Sequence, residues 1–110
     1  MKYYHIDEIS SSDIEKIAEF LRKNTIESNI GNVFWIEVPK DLLNDIQYTH
    51  SACAPHVIAV ELDKNSVKFE IFIRSMATLN CRCQDYANRQ QRDFILNYAD
   101  NMLSTMDIRT

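Results

Sequence analysis

Apolar and polar residues alternate with a period of two through Val57-Ile-Ala-Val-Glu-Leu-Asp63 and again through Val67-Lys-Phe-Glu-Ile-Phe-Ile-Arg74. Ile58, Val60 and Leu62 share one face of the first run, and Val67, Phe69, Ile71 and Ile73 share one face of the second. Lys64-Asn65-Ser66 separates them. Alternation in β-branched and aromatic residues, broken by turn-forming side chains, predicts an antiparallel hairpin over about 57–63 and 67–74. A third run, Val33-Phe-Trp-Ile-Glu-Val38, alternates in the same way. It stops at Pro39, which has no N–H to give to a ladder.

The flanking segments follow the helical period instead. Ile14, Ile17, Ala18 and Leu21 recur at i, i+3, i+4 and i+7 and predict a helix over about 12–23. Ser12 with Glu15 fits a capping box at its start, and Ser10 with Asp13 is the rival start. Near the other end, Asn88 with Gln91 marks the start of a helix over about 88–104, with Cys83 as an earlier alternative. Ile95, Tyr98, Ala99, Met102 and Met106 centre its apolar stripe, which Phe94, Leu96 and Leu103 widen to about half the circumference. Such a stripe is either wrapped by the sheet and the first helix or covered by a partner. Between Pro39 and Ile46 a short helix would turn Leu42, Leu43 and Ile46 inward. Residues 1–9 read as a leader whose Tyr3, Tyr4 and Ile6 dock on the core.

This order predicts an α+β fold: a three-stranded antiparallel sheet (about 33–38, 57–63 and 67–74) with the two longer helices on its apolar face. At 110 residues, the expectation is one domain spanning 1–110. The 45% apolar and 25% charged shares are ordinary for a soluble globular chain. A net charge of −4 counts against general nucleic-acid binding. The arginines at 82, 89 and 92 do not change this, because Asp85 and Asp93 are interleaved with them. No apolar run approaches the ~20 residues of a membrane span, and Met-Lys-Tyr-Tyr-His lacks a signal-peptide core, so the cytoplasm is expected. Three cysteines, an odd number, suit free thiols or metal ligands better than a disulfide framework.

The hairpin has a consequence for those cysteines. Its first strand begins at 57 and its second ends at 74, so in an antiparallel pair these points lie at the same end. The loop carrying His50, Cys53 and His56 should therefore meet the loop carrying Cys81 and Cys83. Thiolates and imidazoles suit zinc, and four of them close a tetrahedral site whose ligand atoms lie within about 4 Å of each other. Cys53, His56, Cys81 and Cys83 make one such set, with His50 as a substitute. The spacing is not that of a finger, because a single residue separates Cys81 from Cys83. The same cysteines could exchange thiol and disulfide, with Cys53 paired to Cys81 or Cys83.

Catalytic signatures are missing from the sequence: no Gly-rich phosphate loop, no serine nucleophile elbow and no His-Glu zincin pattern occurs. A Cys53–His nucleophile would lack an identifiable orienting group. The leading expectation is a small cytoplasmic binding or accessory domain without a cofactor. It would act through protein–protein contacts, and the stripe of the C-terminal helix would meet a protein partner or a second copy as a homodimer. The alternative is a zinc or redox thiol centre at the open end of the hairpin.

Overall fold

In the computed structural model, which describes residues 2–78 and 80–108, the predicted alternation is realised, with one break. Strand β1 spans Tyr3–Ile6, helix α1 Ser11–Asn24, β2 Ile26–Glu27 and β3 Val33–Glu37. A 3-10 turn at Lys40–Leu42 leads to α2 at Asp45–Thr49, and another at Ser51–Cys53 leads to β4 at His56–Leu62. The remainder is β5 at Val67–Glu70, β6 at Phe72–Ser75, β7 at Asp85–Tyr86 and α3 at Arg89–Thr105. The class is α+β, as expected.

The sheet is larger than the sequence suggests. Among the described residues it holds seven strands, not three: β1-β5-β4-β3-β2 in order, with β6 beside β4 and β7 beside β6, every pair antiparallel. Two of the additions, β2 and β7, are two residues long, too short for any alternation to show. The third, β1, lies in the stretch read as a docking leader and pairs with β5 through Tyr3↔Glu70 to Ile6↔Val67.

The predicted strand over 67–74 is two strands. Val60 faces Phe69, so an unbroken ladder would place Val57 opposite Phe72; Val57 instead faces Arg74. The chain bends at Ile71, whose N–H donates to the Lys2 carbonyl (3.0 Å) and whose carbonyl accepts from Ala87 N–H (3.3 Å). Four residues of extended strand would separate Glu70 from Arg74 by roughly 13 Å. Across the bend, Arg74 Nε and Nη2 instead donate to the two Glu70 carboxylate oxygens at 2.7 and 2.9 Å. The slip is of two residues, so the side chains keep their faces, and Val67, Phe69, Ile71 and Ile73 are all buried.

Those side chains form one core with Phe34, Ile36, Ile58 and Val60 of the sheet, Ile17 and Leu21 of α1, and Ile95, Ala99 and Met102 of α3. Helix α1 starts at the rival cap, where Ser10 Oγ accepts from Asp13 N–H at 3.2 Å. Among the described residues of α3 no large apolar side chain is exposed: Phe94, Leu96, Tyr98 and Met106 are half-buried in the chain's own packing. The centre of its stripe, Ile95, Ala99 and Met102, is buried in the core. No helix among the described residues is long and apolar enough to cross a membrane.

The short helix departs from expectation. It begins at Asp45, because Leu43 is extended and Asn44 is the cap. That phase turns Gln47 inward and leaves Ile46 about half exposed (51%). Leu42 and Leu43 are half-buried against the core.

The Glu70 side chain is only 5% exposed, whereas Arg74 keeps 37% of its side chain in water. Arg74→Met is therefore expected to lower stability by about 2 kcal/mol, less than the ~3–5 kcal/mol of a pair broken in full burial. Glu70→Leu with Arg74→Met should recover most of that loss, read as denaturation midpoints. A single-variant loss of only ~0.5 kcal/mol, the size of a surface pair, would show that the bend holds without the bridge.

Candidate metal centre

The two sulfur-bearing loops meet because β4 and β6 pair at His56↔Ser75. Further hydrogen bonds tie the loops together. Ser75 Oγ donates to the Cys53 carbonyl and Met76 N–H to the Pro55 carbonyl (3.1 Å), while within the second loop the Gln84 side chain accepts from Ser75 N–H (3.0 Å).

His50 and Cys53 come from one compact turn. Helix α2 ends at His50, whose N–H donates to the Ile46 carbonyl (3.0 Å), and Cys53 N–H donates to the His50 carbonyl (2.9 Å). The H-x-x-C spacing thus places both donor atoms on the same side of the turn. Cys81 and Cys83 come from the opposite loop, closed by Gln84 N–H donating to the Cys81 carbonyl (3.3 Å).

A buried polar network fixes that second loop. Asn44 caps α2 and Asn88 caps α3, each in a capping box with the glutamine three residues on. The two glutamines then bond to each other: Gln91 Nε2 donates to Gln47 Oε1 at 2.8 Å and to the Leu42 carbonyl at 3.0 Å. Gln47 Nε2 donates to the Cys83 carbonyl at 3.0 Å. Only the repeated Asn-x-x-Gln at 44–47 and 88–91 hints at this in the sequence.

One ligand atom each from His50, Cys53, Cys81 and Cys83 lies within 4.8 Å of all the others. Cys81 Sγ is the hub, 3.0 Å from His50 Nδ1 and 3.1 Å from Cys53 Sγ. In a tetrahedral zinc site with Zn–S bonds near 2.3 Å, sulfurs sit about 3.8 Å apart; the Cys53–Cys81 pair is closer, at 3.1 Å, and the whole set lies within 4.8 Å. The imidazole grouped with the three sulfurs is that of His50. His56, the histidine read from the sequence as a ligand, stands behind the group with Nε2 3.4 Å from Cys83 Sγ. It is 2% exposed, and its Nδ1 is buried with no hydrogen-bond partner among the described residues.

The environment drives the thiols apart. Cys81 is held down to about 6, chiefly by the backbone N–H of Cys83 and then by Cys53, the Cys83 thiol and His50. Burial pushes Cys83 up to about 12, helped by the neighbouring sulfurs. His56 is lowered by burial and then by His50. Two thiolates 4 Å apart repel by about 4 kcal/mol at an effective dielectric of 20, so three ionised sulfurs in this space call for a cation. A cleft of about 320 Å³ is lined by Gln47 and His56, which both contact Cys83, and by Glu37, Lys40 and Tyr48.

Comparison of the chain with protein-family models, with curated proteins and with solved structures finds no match in any of the three.

Gln47→Leu and Gln91→Leu should each cost about 2 kcal/mol of stability by stranding buried partners. Only Gln47→Leu frees the Cys83 carbonyl, so it should weaken Zn2+ binding ~10–100-fold, the range for outer-shell partners, and Gln91→Leu by less. Chelator competition measures both. Equal losses would show that the hydrogen bond to Cys83 is not what positions the loop.

Proposed function

We propose that the chain is a small zinc-binding α+β domain whose centre is formed by His50, Cys53, Cys81 and Cys83. The observation that supports this reading is the convergence of three sulfurs and one imidazole nitrogen within 4.8 Å from two separate loops. The donor set suits zinc over the hard cations Ca2+ and Mg2+, which take oxygen ligands. Four protein ligands fill the tetrahedron and leave no position for a substrate, so the ion's role is structural rather than hydrolytic. It links the segment after α2 to the loop before β7, which hydrogen bonds alone otherwise hold. Three unbridged thiols fit a reducing compartment such as the cytoplasm.

His56 is assigned a supporting role here: its Nε2–H would donate to the Cys83 thiolate once metal is bound, as outer-shell groups commonly do. This separates the two histidines experimentally. Native mass spectrometry should find one zinc per chain, and Co2+ substitution should give a tetrahedral spectrum with sulfur charge-transfer bands. His50→Ala should alter that spectrum by removing the nitrogen ligand, whereas His56→Asn should keep its form. The reverse result would move His56 into the ligand set, and failure of the reduced protein to bind stoichiometric zinc or cobalt would overturn the reading.

The pH dependence has a definite sign. With its thiol pushed up to about 12, Cys83 is protonated at neutral pH in the metal-free chain, so zinc must displace that proton. Affinity should therefore fall as pH drops and rise as it increases. Calorimetry in buffers of different ionisation enthalpy should detect the released proton, and buffer-independent heats would contradict this.

A protein-binding role is a second reading. What supports it is the outward face of α2, where Ile46 and Tyr48 are 51% and 64% exposed. If a second copy is the partner, light scattering should show a dimer at tens of micromolar, roughly where a weak association registers. A strict monomer there would remove the homodimer.

A further inference from the structure

We propose that this centre is also a peroxide-responsive switch: hydroperoxide joins Cys53 to Cys81 in a disulfide, and the zinc ion is discharged. The inference rests on the zinc reading above and adds a regulation to it.

The arrangement distinguishes the three sulfurs. Cys53 and Cys83 are buried, whereas Cys81 is half-exposed, on a loop with few backbone ladder bonds of its own, so an oxidant entering from solvent reaches Cys81 first. Its sulfur already lies 3.1 Å from that of Cys53, on the opposite loop. Cys83 also neighbours both sulfurs, but it sits at the buried back of the group, where its sulfur lies 3.4 Å from His56 Nε2 and its carbonyl accepts from Gln47. A Cys81–Cys83 bond would also have to close a small ring across a single residue, which strains the disulfide dihedral.

The chemistry balances with hydrogen peroxide as the oxidant. The Cys81 thiolate attacks one peroxide oxygen; an S–O bond forms, the O–O bond breaks, and hydroxide leaves and is protonated to water. Cys53 then attacks the Cys81 sulfur; an S–S bond forms, the S–O bond breaks, and the second hydroxide leaves as water. The two sulfurs together give up two electrons, the peroxide takes them, and zinc keeps its oxidation state. Two of the four ligands are gone. His50 and Cys83 alone cannot complete the tetrahedron, so the ion departs. The new bond still ties the two loops together, exchanging a metal crosslink for a covalent one, so the ion leaves without the sheet end opening.

The test uses the zinc-loaded chain, titrated with hydrogen peroxide beside a chromogenic chelator too weak to strip the reduced protein. The expected result is loss of one zinc per chain as one peroxide is consumed. Peptide mapping should then find Cys53 bridged to Cys81 with Cys83 still open to alkylation, and a dithiol reductant should restore zinc binding. Cys53→His offers a ligand in place of the thiol but cannot form the bridge, so this variant should lose the reversible release. If it fails to fold, mapping of the wild-type chain decides alone. Zinc retained under excess peroxide with all thiols intact would overturn the switch and leave the structural centre standing. A mapped Cys81–Cys83 bridge, or release without any bridge, would overturn the pairing. Absence of zinc in the starting protein would overturn both readings.

Discussion

The antiparallel pairing of β4 with β6 is the constraint on which the site depends. Where His56 faces Ser75, the two strands deliver the segments carrying Cys53 and Cys81 to one end of the sheet. Those cysteines are 28 residues apart in the chain, and only the strand pairing makes them neighbours. The same two strands could not reach this register without the bend at Ile71. It shifts the partner of Val57 from Phe72 to Arg74 and moves β6 from the main ladder toward β7. The Glu70–Arg74 bridge spans that bend on the face away from the helices, while Ile71 and Ile73 hold it from the core side. Architecture and site therefore share one feature, a two-residue slip that leaves every side chain on its original face.

That parity explains what could be read from the sequence and what could not. A slip of one residue would have reversed the faces and broken the alternation visibly. A slip of two leaves Val67, Phe69, Ile71 and Ile73 in phase, so the two strands read as one. The capping box at Asn88 was legible because both of its members are local. The outward Ile46 was not, because its direction depends on where α2 begins, and Leu43 delays that start beyond Pro39. The approach of the two loops followed from strand direction alone. The identity of the imidazole beside the sulfurs did not follow, because His50 and His56 both lie in the right loop and only the turn at 50–53 aims His50 Nδ1 at Cys81. In a strand, His56 alternates with Val57 and points into the core end instead, behind Cys83.

Electrostatics favours the proposed ion over plain packing of such a group. Ordinary buried cysteines remain neutral thiols, because desolvation raises them, and Cys83 behaves that way. Cys81 is driven in the opposite direction by donors converging on its sulfur, led by a backbone N–H. A loop that aims a backbone N–H and an imidazole at one sulfur is arranged for a thiolate. A divalent cation bound at such a group would draw off the proton that Cys83 keeps.

The polar network behind the loop follows from the same requirement. Gln47 and Gln91 are almost fully buried, in positions where leucine would gain apolar burial. A leucine at 47 could not hold the Cys83 carbonyl, and a main-chain carbonyl left buried without a donor costs about 1–3 kcal/mol. The network therefore offsets its own desolvation and also fixes the irregular loop that carries Cys83. Both glutamines are already fixed by capping boxes at helix starts, so their side chains reach the site at little further loss of conformational freedom. The start of α2 through Gln47 and the start of β4 through His56 thus meet at Cys83, and Gln91 of α3 braces Gln47. The result is a rigid back wall at Cys83 and His56, faced by the half-exposed Cys81 and His50 on the solvent side.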